Sequence, residues 1–383
     1  MVKGHEPANP LNQYVRDLSI LHLGKFYPPH HGGMETHVRD LAVRQAQLAR
    51  VKVIVSNNVL RSERSMTDGV DVMRVARLGT IASMPICPGL TQLIRNSPAD
   101  LVHLHVPNPG AAFSFLTSGH HGKLVITHHA DTLGRKALRW MSDVFVRKAM
   151  ERAAAIIVTS ERYFKSSVEL APFREKCRVI PLGIDLSQAA EDDDATVGKL
   201  RAEFGEPLVL AIGRLVPYKG FDILIRAMKS VDAKLLVIGT GPKSAELQAL
   251  IDNSGIQDRV KMIGRVDDLS PYFRAASLFV MPSTTRAEAF GIAQLEAMAA
   301  GLPVINTDID SGVPEVSIDQ ETGITVPAGD VNLLAQAIEL LLMRADLRAK
   351  YGRSARERVN AEFTVDLMVK RTLSLYEEIL DRK

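Results

Sequence analysis

The sequence predicts an α/β protein built as two doubly wound domains. Three observations carry that expectation. Short β-branched runs alternate with helical patterns through both halves, several of those runs are apolar without a break, and an acidic, pattern-poor stretch separates the halves. At 383 residues and 46% hydrophobic content the chain is long enough to pack two cores.

In the first half, Leu18–Leu23, Val51–Ser56, Leu101–Val106, Leu124–Thr127, Ala155–Thr159 and Arg178–Pro181 read as strands. Several of them are continuous apolar runs, the character of parallel strands covered on both faces. Met34–Ala49 and Leu138–Ala154 carry helical periodicity between them. The stretch Gln188–Thr196, with Glu191-Asp192-Asp193-Asp194, marks the domain boundary. The second half repeats the scheme with strands at Leu208–Ile212, Lys234–Ile238, Val260–Ile263, Leu278–Met281 and Pro303–Asn306. Val365–Leu380 is helical by pattern. The expected organisation is a Rossmann-like domain over 1–187, a second over 188–363, and a C-terminal helix over 364–383 packing back toward the first. Two such domains face each other, and ligands then sit in the cleft at the carboxyl ends of the strands.

Composition narrows the function classes. Cys87 and Cys177 lie far apart and give neither a disulfide framework nor zinc spacing, so a reducing, cytoplasmic setting is expected. Met1–Ser19 is polar, with Pro7, Pro10 and no apolar core, and reads as a short flexible leader rather than a secretory signal. No window of 18 apolar residues suggests a spanning helix. The net charge of +3 hides an asymmetry: 24 Lys and Arg against 15 Asp and Glu up to Asp185, then 23 against 29. A basic first half suits an anionic partner such as a phosphorylated lipid, a membrane surface or nucleic acid; an uneven surface distribution is the plainer reading.

Two segments carry the chemistry. Glu288-Ala-Phe-Gly-Ile-Ala-Gln-Leu-Glu296 sets two carboxylates around a Phe-Gly step that reads as a loop entering a helix. Were both acids helical, about 12 Å of rise would separate them. Paired glycosidase carboxylates work at roughly 5–9.5 Å, so hydrolysis by an acid pair is not the reading. The spacing suits two ends of an extended ligand, with amides near Phe290, Gly291 and Ile292 receiving an anion. Gly213-Arg214-Leu215-Val216-Pro217-Tyr218-Lys219-Gly220 follows a strand and opens a helix, and Arg214 with Lys219 suits a diphosphate. Gly239-Thr240-Gly241-Pro242 lacks the third glycine and the following acid of a dinucleotide fingerprint, so it reads as a strand-to-helix turn.

All eleven histidines fall at or before His129. His103 and His105 share one strand face, and His30-His31 and His120-His121 are adjacent pairs. No carboxylate or cysteine stands at ligand spacing beside them, so structural histidines without a metal are expected. The run from Arg135 through Trp140 to Arg152 sets Leu138, Met141, Phe145 and Ala149 near one helical face with cations around it. Such a helix lies at an anionic membrane surface or packs on its own sheet; the pattern fits both.

Arg214…Lys219, Gly264-Arg265-Val266, Glu288…Glu296, Ser311-Gly312-Val313-Pro314-Glu315 and Glu321-Thr322-Gly323 occur in an order that resembles retaining, nucleotide-sugar-dependent glycosyltransferases of GT-B fold, the family-4 type. In the first half Gly32-Gly33, His129-Ala130-Asp131, Ile157–Ser160 and Pro181-Leu182-Gly183-Ile184-Asp185 extend the resemblance, which runs from about Leu18 to the C-terminus.

The resemblance implies that Arg214 and Lys219 hold a donor diphosphate, that Glu288 contacts the donor sugar and that Glu296 binds the ribose. Phe290, Gly291 and Ile292 would present amides, Gly213 would join them in binding the donor, Arg265 and Val266 would flank the base, and Gly32 with Gly33 would close on the β-phosphate. A plain turn before a helix is the other account of that glycine pair. His129 would approach the transferred sugar, with Asp131 on the acceptor side; His128 leaves one residue of register open, and a core or surface histidine is the plain alternative. No cofactor and no metal are implied, and nucleic acid is not an expected partner. The implied activity transfers a hexose from GDP-mannose or a UDP-sugar to a hydroxyl acceptor, such as a polyprenyl-diphosphate-linked glycan at the cytoplasmic membrane face. A small soluble acceptor, a nucleotide-sugar epimerase of related fold, and a catalytically silent binding partner are the alternatives.

Overall fold

The strands follow the apolar runs. The structure, a computed structural model, describes residues 18–30, 32–81, 84–131, 136–186 and 194–381, with the side chains of 136–143 and 194 outside that description. The leader up to residue 17, His31, Arg135 and most of the acidic stretch Gln188–Thr196 therefore lie outside the described residues, as do the side chains of Leu138, Trp140 and Met141.

The first unit comprises the described residues of Met1–Thr159 with Ser167–Gly183 and Val365–Lys383. Its strands are β1 (Ser19–Leu23), β2 (Arg50–Ser56), β3 (Glu63–Thr67), β4 (Val70–Val75), β5 (Gly79–Ile81), β6 (Met84–Ile86), β7 (Leu101–Val106), β8 (Lys123–His128), β9 (Ala155–Val158) and β10 (Cys177–Val179). The main sheet runs β10-β9-β8-β7-β1-β2-β4-β3, and β5 pairs with β6 in a separate hairpin. All pairs of the main sheet are parallel except β3 with β4. β7 is buried at every position, as its unbroken apolar and histidine content requires of a central parallel strand.

One face of this sheet, with Ile20, Val53, Leu101, Val125 and Ile157, packs against Val38 and Leu41 of the helix Gly33–Ala46. The same core takes Val365, Met368, Val369, Leu373 and Tyr376 from the C-terminal helix Val365–Asp381. Those five positions recur at the helical period, so one stripe is buried.

The second unit comprises Ser160–Ser166 and Ile184–Thr364. Its strands are β11 (Leu208–Ile212), β12 (Lys234–Ile238), β13 (Val260–Ile263), β14 (Leu278–Val280), β15 (Val304–Asp308) and β16 (Gly323–Pro327), in the order β13-β12-β11-β14-β15-β16, all parallel. Val209, Ala211, Leu235 and Val237 meet Leu224, Ile225, Leu247, Ile251, Leu334 and Ile338 in its core. Ser160–Ser166 belongs here because Glu315 receives the backbone amides of Glu161 and Arg162 at the start of the helix Glu161–Ser166, where a carboxylate complements the helix dipole. Arg162 adds an ion pair to Asp308 at 2.7 Å.

The strands read from the sequence are present, four with the same bounds and the others with ends moved by one or two residues. The β3–β4 and β5–β6 hairpins and the edge strand β16 are additions to that reading. β16 pairs closely enough with β15 that a Cβ at Gly323 would stand 1.7 Å from the Val304 carbonyl oxygen. Gly239 and Gly241 form a strand-to-helix turn, against the carbonyls of Gly213 and Leu215, as their missing fingerprint residues suggested.

Candidate active site

In the second unit the site grows from the carboxyl end of β11. The chain leaves through Gly213, where a Cβ would stand 3.2 Å from Cε and 3.3 Å from Nζ of Lys219. Lys219 closes the short turn Pro217–Lys219, and Gly220 follows in the left-handed region at φ 68°. A Cβ on Gly220 would reach 2.0 Å from the Pro282 carbonyl oxygen, so only glycine lets this turn lie against the loop after β14. The Thr284 amide donates to the Tyr218 carbonyl at 2.8 Å and fastens the two segments.

That approach brings Lys219 to Glu288. Nζ and Oε2 stand 2.5 Å apart, with the side chains 13% and 11% exposed. Ser283 donates to the same carboxylate oxygen at 3.3 Å. Burial, reinforced by the Glu288 charge, pushes the Tyr218 phenol upward. A cation so held is a fixed charge rather than a mobile surface lysine.

The segment after Glu288 is held by a buried polar net. Phe290 is buried, with its ring centroid 6.0 Å from that of Phe363. Gly312 donates its amide to the Ala289 carbonyl at 2.8 Å. The Gln294 amide donates to the carbonyls of Phe290 and Val313 at 3.0 and 3.1 Å. Gly291 caps the helix Ile292–Ala299 at φ 79° and ψ 63°, and no side chain caps that N-terminus. Glu288 thus precedes the helix while Glu296 lies within it, half-buried. Arg214 and Arg265 are exposed, Arg265 pairing with Asp267 at 3.2 Å, and Val266 is partly buried.

In the first unit Gly32 caps the helix Gly33–Ala46, again without a side-chain cap. Its backbone is extended and open to any residue; a Cβ there would meet only the flexible end of Glu35, 2.3 Å from Oε2. Glu35 is buried, and desolvation raises its carboxyl above the usual range. His129 follows β8, its amide donating to the Val106 carbonyl at 3.0 Å. His128 is buried beside Glu169 at 3.3 Å, whereas His129 is partly exposed. Asp131 accepts from Ser167 Oγ at 2.6 Å.

Around His129 the fold gathers histidines from separate strands. His129 Nε2 stands 3.3 Å from His105 Nδ1, His105 Nε2 stands 3.1 Å from His22 Nδ1, and His22 Nε2 contacts Gln45 Oε1 at 2.7 Å. Tyr376 OH meets His103 Nδ1 at 2.5 Å, and His103 Nε2 meets Thr127 at 2.7 Å. His37 packs edge-on to His105 and His129, at 5.4 and 4.9 Å between centroids. Desolvation holds His105 and His129 well below the usual imidazole value, with neighbouring histidines adding to it.

The structure therefore unites Gly213, Lys219 and Glu288, and it groups His129 with side chains that the sequence reading passed over, His37, Gln45 and Tyr376, while Glu35 lies beside Gly32. Glu35 and His37 follow the Gly32-Gly33 pair within one and a half turns, a proximity open to inspection. The meeting of His22 with His103 and His105 needs the strand order β7-β1, which no local pattern states.

Comparison with known proteins identifies the family. Residues 31–188 match the model described as Glycosyltransferase Family 4, and residues 192–358 match that described as Glycosyl transferases group 1. The chain is 26% identical over 376 residues to the O-antigen chain mannosyltransferase C of Escherichia coli, covering 96% of this chain and 100% of that protein. It is 31% identical over 268 residues to a D-rhamnosyltransferase of Pseudomonas aeruginosa, covering 70% of each. A GDP-mannose-dependent phosphatidylinositol monomannoside mannosyltransferase of Corynebacterium glutamicum is 29% identical over 373 residues, 92% of this chain and 96% of that one. Among solved structures, sucrose-phosphate synthase from Thermosynechococcus elongatus superposes with a TM-score of 0.79 at 23% identity, over 96% of this chain and 100% of that one. Among the described residues no helix is long and apolar enough to cross a membrane. With both family models matched in order and two doubly wound units beneath them, the chain belongs to the family-4 glycosyltransferases of GT-B fold.

Proposed function

We propose that this glycosyltransferase moves a hexose from a nucleoside-diphosphate sugar, GDP-mannose or a UDP-sugar, to a hydroxyl of a lipid-linked glycan, with retention at the anomeric carbon. The observation that carries the reading is the Lys219–Glu288 pair at the end of β11, next to an N-terminus that no side chain caps. The two residues hold opposite charges where a donor needs both. Lys219, with Arg214, neutralises the departing diphosphate, and Glu288 hydrogen-bonds the sugar hydroxyls. Amides of Phe290, Gly291 and Ile292 supply further donors to the phosphates. Glu296 takes the ribose hydroxyls, and Arg265 and Val266 flank the base.

In the first unit, Gly32 and Gly33 leave room for a phosphate at the helix start, while His129 and Asp131 serve the sugar and acceptor. The bond from the anomeric carbon to the leaving phosphate oxygen breaks as the acceptor oxygen bonds on the same face. The acceptor proton passes to the departing diphosphate. The protein's share is positioning and charge stabilisation, with no cofactor. Mannosyl and rhamnosyl transfer by the relatives supports a hexose donor, and the lipid acceptor named for the Corynebacterium glutamicum protein supports an acceptor at a membrane surface.

The test is a transfer assay on donors first ranked by thermal shift across UDP-, GDP- and ADP-sugars. Lys219→Ala and Arg214→Ala are each expected to lower kcat by about 100-fold or more, the scale for losing one preorganised transition-state donor. Near-normal rates in both variants would overturn the assignment, and product of inverted anomeric configuration would overturn retention.

A further inference from the structure

We propose that His37, His105 and His129 form a binding site for one divalent first-row transition-metal ion, with zinc as the representative. Each of the three offers a ring nitrogen, and these atoms lie within 4.8 Å of one another. The inference rests on the first unit alone; it shares His129 with the transfer reading, so a bound ion would compete with the sugar for that ring.

The hydrogen-bond chain sets the lone pairs. Gln45 Oε1 only accepts, so His22 donates to it through Nε2 and keeps its lone pair on Nδ1. His105 must then donate to His22 through Nε2, which leaves the His105 lone pair on Nδ1, facing His129. This is how ligating histidines are ordinarily oriented, the second ring nitrogen donating to an outer acceptor. The 3.3 Å between His105 Nδ1 and His129 Nε2 is long for a hydrogen bond. It matches the edge of a tetrahedron with metal–nitrogen bonds of about 2.0–2.1 Å.

His37 is the independent observation. It is 5% exposed, both of its ring nitrogens are buried without a hydrogen-bond partner, and its ring abuts both of the others. As a space-filler it is a poor choice, because a buried polar group left unpaired costs about 1–3 kcal/mol and an apolar ring would avoid that cost. As a third ligand its free nitrogen is used.

The neighbouring groups are spent. His22 and His103 have both ring nitrogens engaged, so His22, His103 and His105 offer no comparable set. His128 and Glu169 face each other, and Asp131 accepts from Ser167. The three proposed ligands sit on the helix Gly33–Ala46, on β7 and just after β8, elements that fix them before any ion arrives. Imidazole donors select zinc, copper, nickel and cobalt over magnesium or calcium. His129, being partly exposed, provides the side from which an ion and a fourth, solvent ligand enter.

The experiment titrates the tag-free, full-length protein, first treated with chelator, with Co2+ and then Zn2+. One equivalent of Co2+ is expected to develop visible tetrahedral absorption that Zn2+ abolishes. His37→Ala should weaken Co2+ binding by about 100-fold, at least the scale of losing a supporting group, while His121→Ala leaves it unchanged. Absence of a saturable cobalt spectrum, or a spectrum that survives His37→Ala, overturns the site. Should His37→Ala lose its native circular dichroism, X-ray absorption of the zinc-loaded, unaltered protein decides the matter. Three imidazole ligands sustain the proposal, and any other set refutes it.

Discussion

Gly291 shows how one residue shapes the entrance to the second unit's candidate helix. At φ 79° it stands where a side chain costs about 1–2 kcal/mol in backbone strain alone. It also faces Met281, whose Sδ would be 2.6 Å from an added Cβ. Gly255 provides the comparison, with φ +67° and nothing within 4 Å of its would-be Cβ. Gly255→Ala is therefore expected to lose about 1 kcal/mol in urea unfolding, and Gly291→Ala about 1–3 kcal/mol more from forced repacking. Equal losses would mean that Met281 yields freely and that only backbone strain demands the glycine. The Phe-Gly step was legible in the sequence because its role is local. The Lys219–Glu288 contact was not, since it depends on the loops after β11 and β14 being neighbours.

Elements differ in how openly the sequence declares them. β11 was bounded correctly because its unbroken apolar run, Leu208–Ile212, ends at Gly213, and β12 and β13 likewise stop at Gly239 and Gly264, whereas β7, interrupted by His103 and His105, stops at Pro107. The β3–β4 hairpin carried a signal just as local. Asp68-Gly69 adopts φ 50° and φ 80°, both positive as a tight two-residue turn of the primed type requires. It was obscured because β3 alternates partly exposed with exposed residues and has no apolar face to count. The C-terminal helix shows the opposite case: its stripe is plain, but its use of a polar residue is not. Tyr376 sits in that stripe, fully buried, bonded to His103 Nδ1 and receiving the Gln45 amide at 3.5 Å. Tyr376→Phe keeps the ring and removes the hydroxyl, leaving two buried polar groups short of a partner. A loss of about 1–3 kcal/mol in unfolding free energy is expected. In a double-mutant cycle with His103→Phe the part of the penalty that comes from the unpaired His103 nitrogen should vanish, leaving the share of the Gln45 amide. Additive losses in that cycle would show that the hydroxyl stabilises the helix through some other contact.

At the scale of the whole molecule, each unit has its own core, so each answers to its own buried titratable groups. The first unit holds two phenols whose ionisation folding resists. Burial pushes Tyr27 up to about 12, with charged neighbours partly offsetting one another, and burial raises Tyr376 further still. Above about pH 10 the unfolded chain releases these protons while the folded unit retains them. The unfolded state then binds fewer protons, so unfolding free energy falls as pH rises, by about 1.4 kcal/mol per pH unit for each phenol until its folded value is reached. Far-ultraviolet circular dichroism follows the loss of the strands and helices. Urea midpoints read in this way should drop steadily between about pH 10 and about pH 11.5. Tyr27→Phe and Tyr376→Phe should each flatten that decline by one proton's share, and the double variant by two, whatever their effects near neutrality. Other lysines and tyrosines titrate in the same window, but they do so equally in all four proteins, so the differences isolate the two phenols. If the double variant kept the full slope, these tyrosines would not govern the alkaline limit and their burial would have to be relieved by an opening short of unfolding.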